Sequence, residues 1–364
     1  MGGVGLAQTR HDWWHDLAGR SAFIASLSVP PDEPYWDLTT NQEINADAYN
    51  LSGCTTHNAA IARWVDGLLA EGVSPSQIEK LLVDLTSRNT YGAFSELAAY
   101  GLLLDATIPF GIQIPMKGSA ILNPNGTNLD GELRIGNSVY FDIKAFGLHE
   151  HLSKQLGRRL SAQFPTNFVA ISGSSDLGVE DMTSLLGKDF RLLVAELAAN
   201  RWAQRGKLDI RLQPKRCIQS TTRSAHPYEL AENNADYAFR FAKQFVRRKP
   251  FILIFVIHPW LGGLRLSTNF ASDAEIFMRS FARRTFIQFR KDRSKVFNLS
   301  RGAVSRLLSG IMFINASQQQ SGQATAHVLF LNPYAKNPMS DLTREQLVTC
   351  IPNMHVDDFA HDAY

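Results

Sequence analysis

The chain predicts a mixed α/β fold, with short strands and helices alternating along most of its 364 residues. Three features carry that expectation. Apolar residues recur at three- and four-residue spacing in Asn58 to Glu71 and Ser74 to Ser87, as helices require. Val139 to Phe146 is a β-branched and aromatic run that follows the hairpin-turn residues Ile135-Gly136-Asn137-Ser138. Phe251 to Ile257 is wholly apolar and bounded like a strand.

Residues 1–88 form a helical N-terminal region, interrupted by a loop at the Pro30 to Pro34 cluster and divided at Gly72, with Ser74-Pro75 opening the second helix. Phe94, Leu97, Ala98, Gly101 and Leu102 continue the helical spacing and leave Glu96 at the edge of the packed face. Strands follow at Leu129 to Leu133 and Val139 to Phe146. The pattern then predicts a helix near His149 to Phe164, a strand near Phe168 to Ser172 and a helix near Val179 to Arg201. Further strands fall at Leu208 to Gln213, Phe251 to His258, Ile311 to Asn315 and His327 to Leu331, with a helix around Leu230 to Arg248. Residues 89–334 thus read as one domain with a C-terminal α/β elaboration, and 335–364 as an acidic tail, exposed or flexible.

Composition narrows the class of protein. An apolar fraction of 45% suits a globular chain, and its longest strongly apolar run is far too short to cross a bilayer. The N-terminus has no basic start followed by an apolar signal core, and Cys54, Cys217 and Cys350 are too scattered for a disulfide framework or a thiolate zinc site. A cytoplasmic protein with no membrane partner is expected. The net charge of +3 is unevenly spread: residues 1–88 hold 5 basic and 11 acidic side chains, residues 89–334 hold 30 and 18, and the tail carries −3. A basic domain of this kind favours a nucleic acid over an acidic metabolite.

Asp130, Asp142 and Lys144 supply the chemistry. Alternation along a strand puts Asp142 and Lys144 on one side, interrupting an otherwise apolar segment. Charges placed there need a metal, water or each other to offset burial. A simple ion pair at a sheet edge leaves their apolar neighbours unexplained. Magnesium takes one or two protein carboxylates and keeps room for substrate phosphate, which suits Asp130 and Asp142, with the Ile143 carbonyl to complete the shell. Lys144 would orient the attacking water or offset charge building on the phosphate.

Glu96 on a helix, Asp130 on a strand, and Asp142-Ile143-Lys144 on the next strand resemble the PD-(D/E)xK nuclease superfamily. The resemblance covers roughly residues 89 to 175, with Leu129 where the family name has proline and Glu132 as an alternative ligand two residues beyond Asp130. It implies a restriction-endonuclease-like mixed sheet flanked by helices. It also implies a Mg2+-dependent endonuclease, with Mn2+ able to substitute, in a restriction or defence role. DNA is the expected substrate, with an RNase or a structure-selective nuclease using the same centre as the alternative; a homodimer would suit double-strand cutting. A non-catalytic nucleic-acid-binding protein on a decayed nuclease fold is the competing class, and the complete acid, acid, lysine set stands against it.

Two basic clusters are candidate phosphate contacts: Lys154, Arg158 and Arg159 after the active-site strand, and Arg279, Arg283, Arg284, Arg290, Lys291, Arg293 and Lys295, interleaved with phenylalanines as a basic amphipathic helix or helix pair. The second set equally suits the solvated face of a core helix. Gly2-Gly3-Val4-Gly5 lacks the strand and lysine of a phosphate loop, and His149 and His151 would point to different sides of a helix.

Overall fold

The computed structural model describes residues 7–37, 42–87, 89–146, 156–157, 159–173, 184–205, 208–214, 227–234, 236–257, 270–316 and 326–362. Six helices open the chain: α1 (Arg10–Ala18), α2 (Ala22–Ser26), α3 (Ala46–Ser52), α4 (Thr55–Ala70), α5 (Pro75–Leu85) and α6 (Thr90–Asp105). Their boundaries follow local chemistry. Thr9 and Asp12 form a reciprocal capping box on α1, and Ser74 caps α5 with Pro75 in its first turn. A two-residue pair, β1 (Trp36–Asp37) and β2 (Gln42–Glu43), lies between α2 and α3.

Seven strands build one mixed sheet flanked by helices, so the α/β class holds. In chain order they are β3 (Phe110–Met116), β4 (Thr127–Leu133), β5 (Val139–Ala145), β9 (Phe251–Ile257), β12 (Gly310–Asn315), β13 (His327–Leu331) and β14 (Met354–Asp357). Their spatial order is β14-β13-β12-β9-β5-β4-β3. The steps β3 to β4, β4 to β5 and β12 to β13 are antiparallel, whereas β5 to β9, β9 to β12 and β13 to β14 are parallel. Every residue of β9 is buried, which explains its unbroken apolar sequence: a central parallel strand covered on both faces has no polar side. Ile252, Ile254 and Val256 join one core with Trp13, Ile61, Trp64, Phe94 and Tyr100, so the N-terminal helices share their interior with the sheet. Leu253, Phe255 and Ile257 join the opposite core, where the Phe146 ring meets Tyr237, Phe255, Phe277 and Phe281 at 4.9–5.4 Å.

Between β5 and β9 the chain makes a second, antiparallel sheet of β6 (Asn167–Gly173), β7 (Trp202–Arg205) and β8 (Leu208–Pro214), in the order β6-β8-β7. This sheet has its own core of Leu160, Phe190, Leu193, Leu197 and Ile210. The strand expected near Phe168 to Ser172 therefore exists but does not adjoin β5; β9 takes that place, with Asp142 opposite Leu253.

Other expectations change in extent. The helix around Leu230 to Arg248 divides into Pro227–Asn233 and a 3-10 segment, Tyr237–Gln244. The Asn234 amide donates to the Leu230 carbonyl, occupying an acceptor that the continuing helix would use. The helix predicted near Val179 to Arg201 is described from Phe190 to Asn200, with a separate turn at 184–186. The basic run after Phe277 starts as the helix Phe270–Arg283 and then widens and tightens through Arg284–Gln288 and Phe289–Lys291. A short hairpin follows, β10 (Lys295–Val296) with β11 (Leu299–Ser300). The acidic tail is built into the fold, since it contributes the helix Asp341–Cys350 and edge strand β14. Thr343 of that helix donates to the Ile135 carbonyl at 3.1 Å, and Gly136 beside it has φ +58°, where a Cβ would strike the Thr343 hydroxyl. The β4–β5 turn is thereby fastened to a residue 208 positions away.

Gly101 lies in α6 against the Trp64 indole of α4, where no room exists for a Cβ. Glycine to alanine inside a helix ordinarily stabilises by about 1 kcal/mol. Here Gly101→Ala should instead lower stability by roughly 1–3 kcal/mol through overpacking, read from denaturant unfolding.

Candidate functional site

The site lies where β4 loses its partners. On one side, β4 and β5 pair at Leu133–Val139, Glu132–Tyr140 and Gly131–Phe141, and the register stops there. On the other, β3 pairs on both sides of Asp130 but Gln113 is passed over, with a left-handed φ of +52°. A non-glycine residue held there is strained backbone of the kind that gathers at functional sites. Asp130 sits in this gap. Its Oδ2 accepts from the Ile143 N–H at 2.6 Å, replacing a missing ladder bond with a side-chain one. A strand residue aims both backbone polar groups to one side, so the Ile143 carbonyl also faces β4.

Three of the four expected residues meet by direct contact. Lys144 Nζ lies 2.6 Å from Asp142 Oδ2 and 3.5 Å from Asp130 Oδ2. The Asp142 side chain is fully buried, and its Oδ1 has no hydrogen-bond partner. Burial, with the like charge of Asp130, pushes the Asp142 carboxyl well above the usual carboxylate range despite Lys144. Burial pulls the Lys144 ammonium down, but Asp142 and Asp130 outweigh it and hold the pKa above normal. Glu96, half-buried on α6, is pushed up from 4.5 to about 7 by burial and then by the Asp130 charge. It therefore belongs to the same electrostatic cluster.

Glu132 is engaged elsewhere. Its carboxylate pairs with Arg134 at 3.9 Å and, after burial, helps to raise the pKa of the Tyr140 phenol beside it. The structure thus brings Asp130, rather than Glu132, to Lys144. Two further residues shape the site. Tyr100 donates to the Asp130 carbonyl at 3.0 Å and is itself bonded by Gln113. The Phe241 ring, from the 3-10 segment Tyr237–Gln244, stands 5.5 Å from Lys144 Nζ, and the Tyr237 hydroxyl donates to the Ala145 carbonyl at 3.2 Å. Tyr100 follows Glu96 by four residues, one helical turn, which is a signal the sequence offers. Phe241 is far away in sequence and offers none.

The donor set fits a hard divalent cation. Two carboxylates converge, one with an oxygen buried and unpartnered, beside a strand carbonyl aimed into the same gap. Among the described residues no group of three or more Asp, Glu, His or Cys side chains forms a cage. A pair of carboxylates is what magnesium ordinarily takes from protein, and is short of a closed zinc site.

The expected phosphate-contacting residues fare differently. Lys154 and Arg158 lie outside the described residues. Arg159 donates to the Leu186 carbonyl and covers the Phe190 ring at 4.0 Å. Arg279 pairs with Asp357 at 2.7 Å and Asp362 at 2.5 Å, Arg283 with Asp362 at 2.6 Å, and Arg284 with Glu232 at 3.3 Å. Arg290 lies over Tyr334 at 4.2 Å, and Lys291 is exposed. The arginines of the Phe270–Arg283 helix are therefore occupied by acids of the same chain. Comparisons with protein-family models, with curated proteins and with solved structures returned no match.

A carboxyl with a raised folded-state pKa holds its proton more tightly folded than unfolded. It costs nothing below its unfolded value and increasingly destabilises as pH rises through the window to its folded value. Metal-free protein should therefore lose stability between pH 4.5 and about 7 through Glu96. Glu96→Gln should flatten that part of the profile in denaturant titrations. Parallel profiles for the two proteins would show that Glu96 is not in the cluster.

Proposed function

We propose that the protein is a metal-dependent nuclease that hydrolyses phosphodiester bonds, with Asp130, Asp142, Lys144 and Glu96 as its centre. The observation that carries this reading is the pair of carboxylates and one lysine gathered at a break in the sheet, with the buried Asp142 Oδ1 unpartnered. With β3 added before the hairpin and the separate sheet β6-β8-β7 inserted after it, an order of helix, strand hairpin, helix and strand can still be traced through α6, β4–β5, the segments Pro227–Asn233 and Tyr237–Gln244, and β9, in place of the expected helix near His149 to Phe164 and strand near Phe168 to Ser172. That order supports a restriction-endonuclease-like arrangement. The membrane takes no part in the proposal, and no helix among the described residues is long and apolar enough to cross one.

Asp130 and Asp142 would hold Mg2+, or Mn2+ in its place, with the Ile143 carbonyl. When bound, the ion supplies Lewis-acid polarisation of the phosphoryl oxygen and lowers the pKa of its water. Lys144 then acts from a fixed position. Asp142 and Asp130 hold its ammonium protonated and Phe241 closes one side, so its charge faces the phosphate without reorganising as negative charge develops. Glu96 titrates close to neutrality and takes up or returns a proton at the rim of the centre. Tyr100 and Gln113 hold Asp130 in place from the far side. DNA is the proposed substrate, with RNA cleavage by the same centre the second reading. A cytoplasmic setting and a homodimer suited to cutting both strands complete the proposal.

Purified protein should cleave plasmid, single-stranded DNA or RNA with magnesium and not with a chelator; inertness toward all three would sink the enzyme reading. Lys144→Ala should lower turnover by roughly 10²–10³-fold while nucleic-acid binding persists. Asp142→Ala should abolish metal-dependent cleavage; if both variants instead unfold, the charges are structural. Divalent-ion affinity should rise with pH as Asp142 and Glu96 give up protons, and calorimetry in buffers of different ionisation enthalpy should register proton release. A pH-independent affinity would remove both groups from the ion's surroundings.

A further inference from the structure

The β10–β11 hairpin carries an arrangement that core packing does not explain. Val296 pairs with Leu299, leaving Phe297 and Asn298 as a two-residue loop. Such loops need positive φ and favour Asn or Gly. Here Phe297 takes the left-handed conformation, at φ +56°, and is 48% exposed. A bulky aromatic residue is a strained choice for that backbone, and its burial is too slight to compensate.

One lysine faces the ring, and three exposed basic residues precede it in the chain. Lys243 Nζ stands 5.8 Å from the Phe297 centroid, and Lys291, Arg293 and Lys295 are exposed on the approach to the hairpin. None of these four has an ion pair among the described residues. The one acid in the segment, Asp292, is turned to Arg301 at 3.2 Å and to the Ser294 N–H at 2.7 Å. Backbone contacts hold the base of the hairpin. Arg301 N–H donates to the Ser294 carbonyl, Gly302 N–H donates to the Asp292 carbonyl, and a Cβ at Gly302 would strike the Arg290 carbonyl. The Arg301 guanidinium also lies over Phe239 and Phe289, tying the hairpin to the 3-10 segment Tyr237–Gln244. That segment links hairpin and centre, because Phe241 faces Lys144 and Lys243 faces Phe297. At a 3-10 rise of about 2 Å and a turn of about 120° per residue, the two side chains start roughly 4 Å apart along its axis and leave it on different sides.

We propose that Phe297 is a stacking platform for an unpaired nucleobase, with Lys243, Lys291, Arg293 and Lys295 holding the phosphates on either side. Base stacking on an exposed aromatic ring beside a cationic track is how single strands are bound without sequence choice. This inference rests on the nuclease reading and names its substrate: a nucleic acid with an unpaired stretch reaching the centre from the hairpin.

Wild-type protein in EDTA, titrated against a fluorescein-labelled single-stranded oligonucleotide and a blunt duplex, separates the possibilities by anisotropy. Phe297→Asn, a residue at ease in the turn, should weaken single-strand binding roughly tenfold or more and duplex binding far less, while Phe297→Trp retains it. With 2-aminopurine in the strand, quenching on wild type and on Phe297→Trp should be lost on Phe297→Asn. Unchanged single-strand affinity in Phe297→Asn, with cleavage intact, overturns this inference alone. Absence of binding and cleavage by wild type overturns the nuclease reading and this one together. Loss of sedimentation with phosphatidylserine vesicles in Phe297→Asn, with oligonucleotide binding unchanged, would assign the hairpin to a lipid surface and overturn it as well.

Discussion

Three carboxyl groups and one ammonium occupy a space that admits little water, and the surrounding structure is arranged around that imbalance. Lys144 is paired with Asp142 and Asp130, yet both Asp142 and Glu96 remain reluctant to ionise. Protons offset the missing positive charge at low pH; a divalent cation can offset it at neutral pH. A fold selected only for stability would dispense with such a cluster, because apolar residues of similar volume are often neutral or better in place of buried charges. The sheet also yields to accommodate it: β4 leaves both ladders at Asp130, and Gln113 adopts a strained backbone opposite.

Much of this was legible in the sequence where one-dimensional pattern maps directly onto local structure. Asp142 and Lys144 announce themselves as charges two apart in an apolar strand, and Val139–Ala145 is indeed that strand. The helix carrying Glu96, the strand carrying Asp130 and the fully apolar β9 were equally readable. What the sequence concealed was adjacency. Phe168 to Ser172 and Phe251 to Ile257 both read as strands, and only three-dimensional pairing shows that the second, more than 100 residues beyond β5, lies beside it. β3 was hidden because Pro109, Gly111 and Pro115 disguise a strand at the sheet edge, where proline is tolerated.

Charge was the least legible quantity. Counting arginines in the Phe270–Arg283 helix identifies positive residues, but whether they are available depends on acids from elsewhere in the chain. Asp357 and Asp362 come from the tail, and Phe359 between them is buried against Phe286 and Phe330. That end of the chain is anchored by packing as well as by charge. The available cations, Lys291, Arg293 and Lys295, belong to the same basic run, but they lie some residues further along, beyond the helix and next to the hairpin.

The bond from Thr343 to the Ile135 carbonyl sets an order of events during synthesis. Asp130, Asp142 and Lys144 leave the ribosome early, but the turn joining their strands cannot be fastened until about 200 further residues have followed. β9, the strand that walls β5, also arrives more than 100 residues late. A nascent chain therefore carries these side chains through more than 100 residues of elongation without the geometry that gathers them. Closing so long a loop carries a slowly growing entropic cost, so the delay comes mainly from waiting for the partner segments to be made. The turn and the strand wall that gather Asp130, Asp142 and Lys144 are thus both completed by segments far along the chain.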